Sequence, residues 1–549
     1  MEMNKTIPGF RLCCLVLLMA AGRLCSQTPV IYKAAAIYVG DTLMHKVEAM
    51  AVSGDRILQT GNFNELTVKY ANATIVDMGN KFIYPGFIDA HCHFLAYAYG
   101  LEECNLVGTK SVKAVVKKLK KFAKGNKREW LIGRGWDQND WTDKQYPDIS
   151  ILDKAFPNIP VCLKRIDGHA IWINSAAVRA LKLNTEQQIT GGEILKTNGK
   201  FNGILIDNAI DLVSPFIPEL DEKTKTNTVN KAASLCYAAG LTTVDDAGLE
   251  IKDIEFIQKL QDQKKLDLRI YAMISFSEKN MAWISTHGSI KTTQLSVNSV
   301  KFYLDGALGS RGALMKQDYC DRPGYRGLLL TNTKDFYNYS YFLYSQGFQV
   351  CVHAIGDSAN KIALKTFNSI LPTGSDPRWR IEHAQITDPV DFNLYRTGKI
   401  IPSVQPTHAT SDAPWAESRI CANRIAGAYS YETLRRHARI VALGTDFPVE
   451  DISPIKTFYS AVTRLDASGN LKEPFIPRES LTREHALLGM TYWAAFANRE
   501  DLEKGSLEAG KLADFVVTDT DLMTVPENKI PAVKVTATYI GGKMVYGKK

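Results

Sequence analysis

Phe82-Ile83-Tyr84-Pro85-Gly86-Phe87-Ile88-Asp89-Ala90-His91-Cys92-His93 is an apolar run, broken by a Pro-Gly pair and ended by two histidines. In a strand, side chains two residues apart point to one side, so His91 and His93 can reach one cation in a cavity above the strand end. Three later segments repeat the arrangement of an apolar run that stops at a ligand-type residue: Val352-His353-Ala354-Ile355-Gly356-Asp357, Arg380-Ile381-Glu382-His383-Ala384 and Leu443-Gly444-Thr445-Asp446. A single buried strand histidine is commonly structural. Four at apolar strand ends, together with Asp446, point to a metal centre, and imidazole with carboxylate suits zinc and similar borderline metals.

Outward from this strand, the middle of the chain alternates strands with helical stretches, the order expected of a parallel α/β fold. After Asp221, residues Val229, Ala232, Ala233, Cys236 and Ala239 recur at helical spacing, Gly240 can end the helix, and Leu241-Thr242-Thr243-Val244 starts the next strand. Further strands are expected at Arg269 to Ile274, Val300 to Leu304, Phe348 to His353, Trp379 to His383, Ile400 to Val404 and Ile440 to Gly444. With the strand before His91 these make eight, which favours a closed barrel whose reactive groups sit at the C-terminal strand ends. Residues 94 to about 220 interrupt the alternation and read as an insertion near the barrel mouth. Within it, Trp136-Asp137, Trp141, Asp167-Gly168-His169 and Trp172 either close over a bound substrate or form an aromatic core with satisfied polar groups.

The two ends are β-rich. Residues 27–84 contain Ala36-Ile37-Tyr38-Val39, Ala49-Met50-Ala51-Val52 and Thr74-Ile75-Val76-Asp77; residues 501–549 contain Asp514-Phe515-Val516-Val517-Thr518 and, after the Gly541-Gly542 turn, Lys543-Met544-Val545-Tyr546. They are expected to pair into one small β-sandwich domain flanking a barrel at 85–500. The 549-residue length, beyond what one core usually supports, agrees with several modules.

Ahead of the fold, Lys5 and Arg11 precede an apolar stretch from Leu12 to Ala21, too short to span a membrane and matching a secretory signal over residues 1–26. Gly22-Arg23-Leu24 before Cys25 is a poor lipidation site. A periplasmic or secreted protein is expected. No second apolar run reaches the ~20 residues of a spanning helix. Seven of the ten cysteines follow the signal, scattered and odd in number, which argues against a disulfide framework. The net charge of +8 is spread over a mixed surface, and the run Lys117-Lys118-Leu119-Lys120-Lys121 reads as a solvated helix face rather than a nucleic-acid site. A small-molecule substrate is the expected partner, and no feature of the sequence sets an oligomeric state.

The sequence resembles the amidohydrolase superfamily, in the branch that includes N-substituted formamide deformylase. The carriers are the Pro85 to His93 stretch, Asp167-Gly168-His169, Val300-Lys301-Phe302-Tyr303-Leu304-Asp305-Gly306, the His353 and His383 segments, Gly444-Thr445-Asp446, and the closing Gly505-Ser506-Leu507-Glu508-Ala509-Gly510-Lys511-Leu512-Ala513-Asp514. The resemblance implies a (β/α)8 barrel of the TIM type holding one or two divalent ions. His91, His93, Lys301, His353, His383 and Asp446 are the expected ligands, with Lys301 at the position often carboxylated to bridge two metals; unmodified and protonated, it is a poor ligand.

The chemistry expected is attack by a metal-activated water on a carbonyl bonded to nitrogen, with Asp446 moving the proton from water to the leaving nitrogen. His408, in Gln405-Pro406-Thr407-His408 after the seventh strand, is a candidate substrate contact, as are Asp167 and His169. Asp305 and Arg311 either line the pocket or form a structural ion pair. The alternative class is a secreted binding protein that keeps the metal and turns nothing over. A barrel glycosidase is weaker, because histidines rather than paired carboxylates occupy most strand ends.

Overall fold

The computed structural model describes residues 28–125 and 128–547; the expected signal at 1–26 lies outside the described residues. Eight strands form the central barrel: β1 (Phe87–Cys92), β2 (Leu241–Leu249), β3 (Arg269–Ser275), β4 (Leu295–Tyr303), β5 (Gln349–Ala354), β6 (Arg380–His383), β7 (Ile401–Val404) and β8 (Ala442–Leu443). Each pairs in parallel with the next in chain order. All eight expected strands are present, though β4 starts earlier and β8 is shorter than the apolar runs suggested. The ring closes through backbone rather than a full ladder: Asp446 N donates to His91 O at 2.7 Å and His93 N to Phe447 O at 2.8 Å.

Alternation along the strands sends one set of side chains to the helices and the other to the barrel interior. Val244, Ile270, Val300, Val350, Val352 and Ile381 join the core shared with the outer helices. The interior carries charge: Arg380 Nη1 donates to Asp245 Oδ2 and to Asn498 Oδ1, both at 2.9 Å, and Arg380 Nε pairs with Glu382 Oε1 at 2.7 Å. The helix predicted after Asp221 spans Glu222–Ala238, with the Asp221 side chain accepting from Thr224 N as N-cap. Gly240 ends it at φ +88°, where a Cβ would lie 2.8 Å from Val516 and 3.0 Å from Phe87. At the Pro-Gly break, a Cβ on Gly86 would stand 2.3 Å from Thr242, so only glycine lets β1 close on β2.

The chain ends meet as expected. Their strands join in one eight-stranded sheet, in which Phe515–Thr518 pairs antiparallel with Phe82–Pro85, placing Val516 opposite Tyr84. Tyr32, Phe515 and Tyr539 fill its core, and Arg269 at the start of β3 ties it to the barrel by an ion pair with Asp514 at 2.6 Å.

The insertion builds a sheet of its own, six strands between Cys104 and Asp207. It starts later than the sequence suggests, because the helix Phe94–Gly100 buries Phe94, Leu95 and Ala98 in the barrel core. Trp136, Trp141 and Trp172 pack together in the core of the insertion, with Trp136 Nε1 donating to Leu163 O at 2.8 Å. The tryptophans do not close over the cavity, and for them the aromatic-core reading holds, whereas Asp137, Asp167 and His169 of the same segments line the cavity. The basic run lies on the helix Val112–Ala123, whose Val115 and Leu119 are buried while Lys117, Lys120 and Lys121 are exposed. Among the described residues there is no disulfide framework, but one bridge, Cys320–Cys421, joins segments 101 residues apart; Cys92, Cys104, Cys162, Cys236 and Cys351 are free and buried. No described helix is long and apolar enough to cross a membrane.

Candidate metal centre

At the C-terminal ends of the strands lies a cavity of about 240 Å³, with His93, Lys301, His353, His383, His408 and Asp446 in its lining. His91 stands beneath it, fully buried. His91, His383 and Asp446 place ligand atoms within 4.8 Å of one another. His93 Nε2 is 3.2 Å from Asp446 Oδ1, and Lys301 Nζ is 3.1 Å from His91 Nε2. His353 packs against His383 with ring centroids 4.5 Å apart. The strand ends therefore bring together all six expected ligands.

The far nitrogen of each nearer imidazole is held by the protein. His91 Nδ1 meets Glu382 Oε2 at 2.5 Å, His93 Nδ1 meets Ala247 O at 2.9 Å, and His383 Nδ1 meets Gln405 Oε1 at 2.8 Å. Each acceptor fixes the proton on Nδ1 and leaves the Nε2 lone pair facing the centre, the outer support that metal-ligating histidines require. His353 turns Nε2 toward Gly306 O at 3.4 Å, leaving Nδ1 for the centre.

Burial keeps His91, His353 and His383 neutral, as ligands must be. Burial, followed by the charge of Lys301, lowers the His91 pKa to about 4, and burial takes His353 and His383 well below the ordinary histidine value. Burial also lowers Lys301 to about 8, against the pull of Glu382 and Asp446. Burial opposes ionisation of Asp446, but the imidazoles of His93, then His91 and His408, face its oxygens and hold it well below the ordinary carboxylate range.

A cation fits this donor set. Asp446 is 5% exposed, yet its Oδ1 accepts no hydrogen bond, and an anionic oxygen buried without a donor is costly unless something positive meets it. The backbone is strained at the same place, with positive φ at His383 (73°), Ala384 (42°) and Asp446 (60°). In an unbroken β6, His383 would follow Ile381 outward; the left-handed turn re-aims it into the cavity.

The expected substrate contacts divide. His408 reaches the cavity, its Nε2 3.5 Å from Asp446 Oδ2. Asp167 and His169 line it from the insertion, His169 braced by Asp207 at 2.6 Å and tilted against His353 with ring centroids 5.1 Å apart. Asp305 lies behind the wall, fully buried, accepting from the backbone N–H of Leu314, Ile355 and Gly356 at 2.8–3.0 Å. It shapes the loop carrying His353 and touches no substrate space. Arg311 pairs with Asp321, not with Asp305. Sequence reasoning missed Glu382, although it lies in the quoted β6 segment, and missed Arg165, Asp412 and Glu450, which no strand-end pattern marks.

A parallel barrel with a histidine and carboxylate cluster at its C-terminal strand ends defines a metal-dependent hydrolase. The chain belongs to the amidohydrolase family, whose model matches residues 74–546. It is similar to Protein LONG AFTER FAR-RED 3 of Arabidopsis thaliana, 32% identical over 530 residues, covering 93% of this chain and 90% of that one. It is also similar to the N-substituted formamide deformylase of Arthrobacter pascens, 24% identical over 529 residues and 91% and 95% of the two chains. An uncharacterised metal-dependent hydrolase of Pyrococcus horikoshii shares the fold, with a TM-score of 0.75, 24% identity, and coverage of 91% of this chain and 99% of that one.

Proposed function

We propose that the protein hydrolyses a carbon–nitrogen bond other than a peptide bond, in a small-molecule amide or N-substituted formamide. The observation that carries this reading is the place of Asp446: ionised, between His93 and His408, with one oxygen free toward the cavity. A divalent ion, for which zinc suits the donors, would supply Lewis acidity and an acidified water. His91, His93, His383 and Asp446 would hold it, with Lys301 and His353 placed for a second ion. Burial lowers Lys301 to a pKa of about 8, which raises the share of the neutral amine that carboxylation requires, and the carbamate would turn it into an anionic ligand.

Asp446 takes the proton of the attacking water and returns it to the nitrogen as the C–N bond breaks, so the amine departs and the acyl carbon keeps the oxygen. His408, with no hydrogen-bond partner on Nε2, is placed to donate to the carbonyl oxygen as charge develops there. The Arthrobacter relative, named for deformylating N-substituted formamides, supports this bond type. The expected signal and the Cys320–Cys421 bridge, a bond kept in oxidising compartments, support a periplasmic or secreted enzyme.

The test is elemental analysis of the purified protein and of Lys301→Ala, with hydrolysis of a panel of formamides and amides before and after chelation. The expected result is metal content that falls in Lys301→Ala and hydrolysis that disappears on chelation and returns with added ion. Hydrolysis that survives complete metal removal, or metal bound with no turnover of any amide, would overturn the reading; the second result is that of a binding protein.

A further inference from the structure

The cavity wall holds carboxylates that the metal centre does not use. After β7, the short helix Pro406–Asp412 brings Asp412 to the cavity, and the turn following Asp446 brings Glu450. Asp412 Oδ2 accepts from Gln385 Nε2 at 2.9 Å and from the Tyr429 hydroxyl at 2.8 Å. Glu450 Oε1 accepts from Ser411 Oγ at 2.6 Å, and Ser411 adjoins Asp412 in the chain, so the two carboxylates share one side of the cavity. All three donors are neutral, and neither carboxylate has an ion-pair partner among the described residues. For the other carboxylates of the lining the balance differs: Asp137 and Asp167 both pair with Arg165.

Carboxylates drawn from water without a counter-ion cost stability. Both are half-buried, and burial pushes Asp412 up to about 7 and raises Glu450 against the pull of the nearby His408. The carboxylates stand beside Trp415, which gives the same wall an apolar surface. Below them Asp446 Oδ1, 5% exposed and without a hydrogen-bond partner, opens on the same cavity, so this space is built to hold a ligand.

We propose that the cavity selects substrates carrying a cationic group, an ammonium or guanidinium, joined to the scissile carbonyl or its nitrogen by a short apolar spacer, with Asp412 and Glu450 taking the cation and Trp415 the spacer. The inference rests on the hydrolase reading for the place of the scissile bond, and on charge and geometry for the rest.

The experiment uses two probes that differ only in charge, N-(aminobutyl)acetamide and N-pentylacetamide, with binding to the metal-loaded protein measured by calorimetry and hydrolysis followed separately. The cationic probe is expected to bind about ten-fold tighter or more, the scale of a charge-assisted hydrogen bond. That margin should vanish in Asp412→Asn/Glu450→Gln, whose metal content stays at the wild-type level. Equal affinity for the two probes, tighter binding of the neutral one, or binding of neither would overturn the proposal. The two readings fail separately: a charge preference without hydrolysis removes the hydrolase and keeps the cation site, whereas hydrolysis with no charge preference removes the cation site and keeps the hydrolase.

Discussion

On the floor of the cavity, the imidazoles nearest the centre are held from behind by the barrel: His91 by Glu382 on β6, His93 by the carbonyl of Ala247 on β2, His383 by Gln405 after β7. On the insertion side, the groups hold one another: Arg165 lies between Asp137 and Asp167, and His169 leans on Asp207. Floor partners come from strands, or for Gln405 from the residue directly after one, whose register the barrel ladder fixes. Wall partners lie within a domain that has its own sheet and core. The centre can therefore stay constant while the wall changes, which is how one barrel serves many substrates.

The largest expected effect breaks the floor chemically and leaves it standing. Asp446→Asn removes the proton carrier and should lower turnover by about a thousand-fold or more, with the fold kept, as judged by circular dichroism and thermal melting. Turnover near the wild-type level would take Asp446 out of the mechanism.

A smaller effect is expected on the wall. Arg165→Leu leaves Asp137 and Asp167 facing each other without their shared cation, and should cost about 2–3 kcal/mol of stability, at the low end for a broken buried pair because both carboxylates keep some contact with solvent. Melting should show the loss while metal content stays at the wild-type level. Metal lost together with stability would mean that floor and wall are one unit, and the distinction between them would fall.

The same division decides what could be read in the sequence. The floor was legible because β1, β5, β6 and β8 are apolar runs that end on His91, His353, His383 and Asp446, and period-two alternation puts His91 and His93 on one side. The wall was not. Trp136 and Trp172 resemble a substrate lid in one dimension and prove to be core, because the insertion forms a sheet of its own, with Trp172 paired between Leu163 and Ile204, and its buried face takes both rings. Asp412 and Glu450 reach the cavity from the end of a short helix after β7 and from the turn after β8, segments too short for periodicity to assign direction. Asp305 carries a motif yet points at backbone N–H groups. Cys320 and Cys421, 101 residues apart, gave no local sign of pairing.

Glu382 tests the floor most finely, because it has two duties: it accepts from His91 Nδ1, and it faces Arg380, which is fully buried. Burial disfavours its charge, but Arg380 and then His91 hold it well below the ordinary carboxylate range. Glu382→Gln keeps an oxygen for His91 and removes the charge. Arg380 retains Asp245, Asn498, Ser403 and the Ala90 carbonyl, so the barrel should still fold. The amide oxygen is a weaker acceptor, His91 becomes a poorer donor to a cation, and metal affinity in a chelator competition should fall by about 10–100-fold, the usual effect of losing an outer partner. Unchanged affinity would assign Glu382 to Arg380 alone, and the order of the floor would then come from barrel packing rather than from support of the ligand.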